Sequence, residues 1–408
     1  MVSTPRDRAA SLETALATAL AAADMPALQA VATSLVDDSL ALSASVPLLA
    51  RLVAAVPSLP EPVAIAVAEH VLVAVGARVP SFEAEVTGLR EKLAAVYEAQ
   101  EGWAAAAATL RGIPFDGSHT LSAAYKLRVQ VKIARLYLED DNTVEAEMFL
   151  NRAAPLLQDA DDQAVALQYR VAFARILDAK RRFAEAAMQY YSLSQLPPGT
   201  TAEVTADQTM EALGFAVRCA VLAPAGPQRS RILSLLWKDE RSRRLDSWAI
   251  LEAMHCQRLL PPALVATFAE TLAPHQRATL ADGETVLARA VVEHNLAAAA
   301  ALYVNIGFAE LGELLGVSAA RAEETAAKMI QEGRMKGVMD QVDGVLEFDT
   351  GADAKEAVLQ WDAQIASVCA ELDSCVEAIL TRHPEFALVA ANGGGTADAV
   401  EHAGRSRV

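Results

Sequence analysis

The chain has 408 residues, 53% of them hydrophobic but only 5% aromatic, and a formal net charge of −17. Its length allows a large core and two or three domains, and its abundant Ala favours helices because Ala has the best intrinsic helix propensity. So acidic an average surface repels DNA and RNA and attracts basic partners, and without an apolar run of about 18 uncharged residues no transmembrane helix is expected.

Residues 1 to about 80 carry Ala, Leu and Val in helical blocks punctuated by Pro57, Pro60, Pro62 and Pro80, which predicts antiparallel helix pairs. Ala15 to Met25 is apolar, but it is flanked by acids and has no basic region before it, so it reads as a helix rather than a signal peptide.

A repeat with a period of 40 follows. Leu93, Ile133 and Phe173 are equivalent, and each precedes an Ala (Ala94, Ala134, Ala174). Tyr97, Tyr137 and Leu177 lie one helical turn on; Ala106, Ala146 and Ala186 are equivalent, as are Leu110, Leu150 and Tyr190. Each unit reads as a long helix, a polar turn (Gln100-Glu101-Gly102, Asp140-Asp141-Asn142, Lys180-Arg181-Arg182) and a second helix whose Ala permits close approach. Such hairpins resemble tetratricopeptide-like solenoids with a longer period, an architecture that offers an extended protein-binding surface.

Pro197-Pro198-Gly199 marks a loop, and a helical region then runs from about Ala202 to Tyr303. Pro224, Gly226 and Pro227 break it once and Pro261-Pro262 again. Within it, Gln228-Arg229-Ser230-Arg231 leads a helix through Leu233, Leu236 and Trp237. Its last helix, Thr285 to Tyr303, is expected to pack under the next element.

Val304 to Phe348 reads as a winged helix. A short extended piece, Val304-Asn305-Ile306, leads to a helix from Ala309 to Leu315 with Leu311, Leu314 and Leu315 facing inward. Gly316 suits a left-handed helix end, and Ser318 suits the N-cap of a second helix that Gly333 closes. Strands are predicted from Gly337 to Val342 and from Val345 to Phe348, joined by Asp343-Gly344, a two-residue hairpin signal. The hairpin offers an edge, and Met339, Gln341, Val342 and Leu346 are the candidate contact residues on it.

A final helix is expected over about Lys355 to Arg382. Val358, Trp361, Ile365, Val368, Leu372, Cys375 and Ile379 alternate steps of three and four, which is an a/d seam. It must pack either on this chain's own domain or in a bundle with helices of partner subunits; Trp361, Ile365, Val368 and Leu372 are its candidate contact residues. Pro384 ends the helix, and Ala390 to Val408 reads as a disordered tail.

Little points to catalysis. The four cysteines, Cys219, Cys256, Cys369 and Cys375, form no CxxC, lie in helix-like patterns and are expected to be buried free thiols. The seven histidines form no HxH, HxxxH or HExxH, and phosphate-loop, dinucleotide and nucleophile-elbow motifs are absent. His294 reads as structural and Asp140-Asp141 as a turn that lacks the further oxygen ligands calcium needs. No catalytic, cofactor-binding or metal residue is therefore nominated. Nucleic-acid binding, the usual rival for a winged helix, fits the charges poorly. From Ser318 to Asp349, Arg321, Lys328, Arg334 and Lys336 face Glu323, Glu324, Glu332, Asp340, Asp343, Glu347 and Asp349, a balance of −3.

A helical-repeat arm running into a winged helix and a terminal helix resembles the PCI-domain family, shared by the proteasome lid, the COP9 signalosome and a translation initiation factor. Val79-Pro80-Ser81-Phe82-Glu83, Lys132 to Asp141, Gly226 to Arg231 and Lys238 to Arg241 are similar to strings of the COP9 signalosome subunit 4 family. So are Pro274 to Thr279, Ala290 to Leu296, Glu332 to Met335 and Asp340 to Gly344, in the same order. The resemblance spans roughly residues 75 to 380 and is weak over the first 70.

It implies a mostly α protein: a helical-repeat solenoid arm (1–200), the helical part of a PCI domain (201–303), its winged helix (304–349), a bundle helix (350–384) and a disordered tail (385–408). It further implies a non-catalytic, substrate-sensing scaffold subunit of the cytoplasm and nucleus, supporting removal of Nedd8 from cullin-RING ubiquitin ligases, with the chemistry in a separate JAMM-type zinc subunit. The implied partners are the other PCI subunits, the JAMM/MPN pair, and a neddylated cullin with its RING partner, with neither nucleic acid nor membrane. A proteasome-lid PCI subunit and a nucleic-acid-binding winged-helix regulator are the alternatives.

Overall fold

The computed structural model describes residues 5–37, 40–115, 121–159, 162–197, 199, 204–279, 283–348 and 352–383. Two compact units make up the chain, Met1–Ala297 and Ala298–Val408.

In the first unit, prolines and left-handed residues sit between helices. α1 (Pro5–Ala22) and α2 (Met25–Val36) are separated at Ala23, whose φ is 50°, so the apolar stretch expected as one helix to Met25 is cut there. α3 (Leu42–Ala55) and α4 (Glu61–Val75) follow, with Pro57 in a 3₁₀ turn, Pro60 at the N-cap of α4 and Pro62 in its first turn. Pro is tolerated there because the first amides of a helix have no internal partner. Leu28, Leu35, Leu49, Leu52, Val67 and Val75 close the core of these helices.

The repeat then stands as three helical hairpins: α5 (Glu83–Ala99) with α6 (Trp103–Arg111), α7 (Ala123–Glu139) with α8 (Thr143–Ala153), and α9 (Gln163–Ala179) with α10 (Phe183–Ser194). First and second helices each recur at the 40-residue interval that the sequence shows. So does the turn: Glu101, Asp141 and Arg181 adopt φ of 58°, 57° and 61°. This left-handed residue lets the amides of Gly102, Asn142 and Arg182 donate to the carbonyls of Tyr97, Tyr137 and Leu177 at 2.9, 2.8 and 2.9 Å. Those bonds satisfy carbonyls otherwise orphaned at a helix end, which offsets a left-handed penalty of about 1–2 kcal/mol. Ala94, Ala134, Ala174, Ala106, Ala146 and Ala186 are fully buried, so backbones meet where the small residues lie. Phe173, unlike Leu93 and Ile133, is only half-buried.

α11 (Ala206–Leu222), α12 (Pro227–Lys238), α13 (Trp248–His255), α14 (Pro262–Glu270) and α15 (Val286–Leu302) complete the helical series, broken at Gly226-Pro227 and Pro261-Pro262 as expected. Leu213, Val217, Ala220, Leu236, Leu251 and Met254 share a core with Tyr190 and Leu193 of α10. Of the cysteines only Cys219 is buried; Cys256, Cys369 and Cys375 are exposed, so the expectation of four buried thiols fails for three. Cys256 lies just past the end of α13, and the other two sit on a helix without cover, so their apolar pattern does not bury them.

The second unit is a winged helix and a long helix. β1 (Asn305–Gly307), α16 (Phe308–Leu315), α17 (Ala319–Gln331), β2 (Gly337–Asp340), β3 (Val345–Phe348) and α18 (Ala352–Arg382) occur in that order. Gly316 has φ 70° and Gly333 φ 66°, and the Ser318 hydroxyl accepts from the Arg321 amide at 3.3 Å, as expected. Gly312 is needed for close packing, since a Cβ there would lie 2.9 Å from the Val317 carbonyl oxygen. Leu311, Leu315, Ala322, Ala326, Met329 and Phe348 are buried, whereas Leu314 is half-exposed.

The sheet is antiparallel with strand order β1-β3-β2, pairing Ile306 with Leu346 and Met339 with Leu346. The hairpin departs from expectation. β2 stops at Asp340, and a four-residue loop, Gln341 to Gly344, replaces the two-residue turn. The Asp340 carboxylate accepts the amides of Val342 and Asp343 at 2.9 and 3.2 Å, an Asx turn that competes with the strand ladder. The expected tail, Ala390 to Val408, lies outside the described residues.

Candidate functional site

The terminal helix carries its seam uncovered. Val358, Trp361, Ile365, Val368, Leu372 and Ile379 are 66, 70, 54, 61, 62 and 52% exposed, with Cys375 exposed among them. A scattered exposed Leu needs no explanation, but a continuous a/d stripe on a 31-residue helix does. Fully burying a large apolar side chain is worth about 1.5–3 kcal/mol, and helical stability in water comes mainly from packing such a face. From Trp361 to Ile379 every residue of α18 is exposed.

The wing places the four nominated residues differently from one another. Leu346 is fully buried on β3, the central strand, so it belongs to the wing's own core. The expectation of Leu346 at the edge is corrected, because β1, three residues long, pairs along the other side of β3. Met339 is half-buried opposite it on β2. Gln341 is exposed and donates to a Glu323 carboxylate at 2.8 Å, and Val342 is 95% exposed in the loop. The edges of the sheet are β1 and β2. On β2, Val338 is exposed. β1 opens on a groove of about 660 Å³ lined by Tyr303, Asn305, Ile306, Glu310, Glu313 and Leu314. Val304-Asn305-Ile306 reads as extended in the sequence, but its pairing with β3, 40 positions on, has no local signal.

Arg321 pairs with Glu324 and Arg334 with Glu332, both at 2.7 Å, so two of the four cations counted from Ser318 to Asp349 are held by the chain's own acids.

The polar residues of the motif strings turn out to join helices. Glu293, His294 and Asn295 of α15 are all buried. The Glu293 carboxylate accepts the Ala225 amide at 3.0 Å and pairs with Arg289 at 3.3 Å. Asn295 accepts the Leu260 amide at 2.9 Å. His294 Nε2 lies 2.9 Å from the Arg258 carbonyl, and Arg229, which can only donate, points at Nδ1 from 3.4 Å. The ring proton therefore sits on Nε2. Burial first, and the nearby guanidinium besides, hold the His294 pKa down at about 4. Asp178 is likewise buried, accepting from Gln276 at 2.9 Å with His275 at 3.2 Å. Burial pushes the Cys219 thiol up, helped by Asp178, so it is no nucleophile. Arg241 bonds Asp239 at 2.7 Å and the Ser194 carbonyl at 2.7 Å, fastening the end of α12 to α10. Among the described residues no group of three His, Cys, Asp or Glu could hold a metal ion, and no helix is long and apolar enough to cross a membrane.

Residues 4–199 match the family described as PSMD12/CSN4, N-terminal, and residues 272–350 match the PCI domain. The COP9 signalosome complex subunit 4 of Dictyostelium discoideum is 42% identical over 355 residues, covering 87% of this chain and 88% of that one. The chain belongs to the COP9 signalosome complex subunit 4 family. The namesake subunit of Arabidopsis thaliana is 43% identical over 314 residues (76% of this chain, 78% of that one), and that of Drosophila melanogaster 42% over 329 (80% and 79%). These near-full-length relatives decide between the two PCI readings, because the N-terminal match alone names both PSMD12 and CSN4.

Proposed function

We propose that this chain is a non-catalytic scaffold and substrate-sensing subunit of a COP9 signalosome, supporting removal of Nedd8 from cullin-RING ubiquitin ligases. The observation that carries the reading is the uncovered a/d stripe of α18, an apolar face of a length that another helix must cover. Trp361, Ile365, Val368 and Leu372 pack in a bundle with terminal helices of neighbouring subunits. The sheet extends through its edges, β1 and β2, to neighbouring winged helices, with Met339, Gln341 and Val342 near the second contact. Leu346 acts there only by holding the wing together.

In this reading residues 1–200 are an arm toward the neddylated cullin and its RING partner, 201–303 and 304–349 the PCI domain, and 350–384 the bundle helix. Stacked hairpins with backbones in contact at Ala106, Ala146 and Ala186 make a stiff arm, as a relay from substrate to a JAMM-type zinc isopeptidase subunit requires. The complex works in cytoplasm and nucleus. Mass spectrometry of proteins co-purifying with the tagged chain tests the reading. It predicts the other PCI subunits and the JAMM/MPN pair, with no deneddylation by the chain alone; a proteasome lid, or turnover by the isolated chain, would overturn it.

A further inference from the structure

The stretch from Pro227 to Arg244 is an island of positive charge in a chain of net charge −17. It carries Arg229, Arg231, Lys238, Arg241, Arg243 and Arg244 against Asp239 and Glu240. Structure accounts for half of these cations. Arg229 is buried and donates to the Ala223 carbonyl at 3.2 Å, Arg241 holds Asp239, and Arg243 lies over the Trp248 ring at 5.9 Å. Arg231, Lys238 and Arg244 are exposed, and among the described residues their side chains form no hydrogen bond or ion pair. Elsewhere half-buried cations find a carboxylate on the neighbouring hairpin, as Lys132 finds Glu98 and Arg175 finds Glu139, both at 2.7 Å.

The arrangement on α12 is specific. Ile232, Leu233 and Leu236 face the core, and Arg231, Leu235 and Lys238 follow at helical spacing along the opposite, outward face. Leu235, 38% exposed, thus stands between two free cations. Trp237, 36% exposed, turns away from this face, and its ring stacks on His255 at 4.6 Å. An exposed Leu flanked by cations without partners offers a partner both apolar and charged contact. Within this stretch Glu240 is the exposed acid, since Asp239 is taken by Arg241 and by Gln195 at 3.0 Å; Asp246 and Glu252 are the nearest acids beyond it in sequence.

We propose that the outward face of α12 docks an acidic segment of a partner protein, which sets carboxylates against Arg231 and Lys238 and an apolar side chain on Leu235. Charge complementarity selects the occupant: within so acidic a chain the patch attracts an acidic segment locally, whereas a long polyanion such as RNA would meet the repulsion of the whole surface. This surface is independent of the α18 seam and the sheet edges, so its failure would leave the scaffold reading standing.

The test uses the full chain, a fluorescein-labelled Glu/Ser peptide with a central Leu, and anisotropy. We expect saturable binding that weakens with salt, is lost roughly tenfold or more in R231E/K238E, and is retained in R231K/K238R. L235A should weaken it severalfold but leave a peptide lacking the Leu unaffected. Unchanged thermal unfolding of the variants, whose sites are exposed, assigns any loss to docking. Three results would overturn the proposal: no binding by the parent chain, binding unaltered in R231E/K238E, or tighter capture of a single-stranded RNA oligonucleotide. A parent chain that dimerises in sedimentation while R231E/K238E stays monomeric would assign the face to a second copy instead and equally refute it.

Discussion

His294 should make the fold sensitive to mild acid. Buried between the Arg258 carbonyl and the Arg229 guanidinium, the ring is held neutral, with a pKa lowered from 6.5 to about 4. A proton on Nδ1 would remove the acceptor for Arg229 and set two cations together in a buried site. The folded state thus binds the proton less well than the unfolded state, so stability is fully present above about pH 6.5 and falls as the pH drops toward 4. The linkage comes to about 2 kcal/mol at pH 5 and about 3 kcal/mol at pH 4, relative to neutral pH. Substitution His294→Gln separates this effect from that of the many carboxylates, because Gln can donate to Arg258 and accept from Arg229 without titrating. Urea unfolding at pH 7.5 should find the two proteins within about 1 kcal/mol of one another. At pH 5 the parent should have lost about 2 kcal/mol more than the variant. Parallel pH profiles would refute the neutral-ring assignment.

The hairpin contacts make a packing prediction: Ala146→Leu forces a large side chain between α7 and α8 and should destabilise the arm by about 1–3 kcal/mol in thermal unfolding. Gly312→Ala should destabilise the winged helix by a similar amount, about 1–3 kcal/mol, because its Cβ meets the Val317 carbonyl, with hydrogen exchange in α16 and α17 rising before that of the hairpins. Cys375, exposed on the seam, should react freely with a maleimide in the isolated chain and be protected once the helix is bundled.

Local signals and periodicity were enough for most of the fold. Three copies at one register expose the hairpins, because a left-handed turn and a buried Ala recur at each. Gly316 and Ser318 mark helix ends by their own chemistry, and the α18 stripe is visible as steps of three and four. What depended on distant partners was not legible. Asp343-Gly344 suggests a tight hairpin, but the Asp340 side chain captures two amides and widens the loop. Leu346 looks like an edge residue until β1, arriving from 40 positions earlier (Ile306), pairs with it. Nothing around His294 announces partners 36 and 65 residues away. The seam's periodicity could not say whether the chain covers its own stripe.

The central claim is that the α18 stripe is the surface by which this chain joins its assembly. Leu372, at 62% exposure in the middle of the seam, is the place to test it. Leu372→Asp places a charge in a packed apolar interface, at a cost of several kcal/mol, while touching nothing in the isolated fold. When the chain is co-expressed with the other signalosome subunits and the complex is resolved by size-exclusion chromatography, the variant should remain with the free subunits, with circular dichroism like that of the parent. Incorporation of Leu372→Asp at parental level would contradict the account.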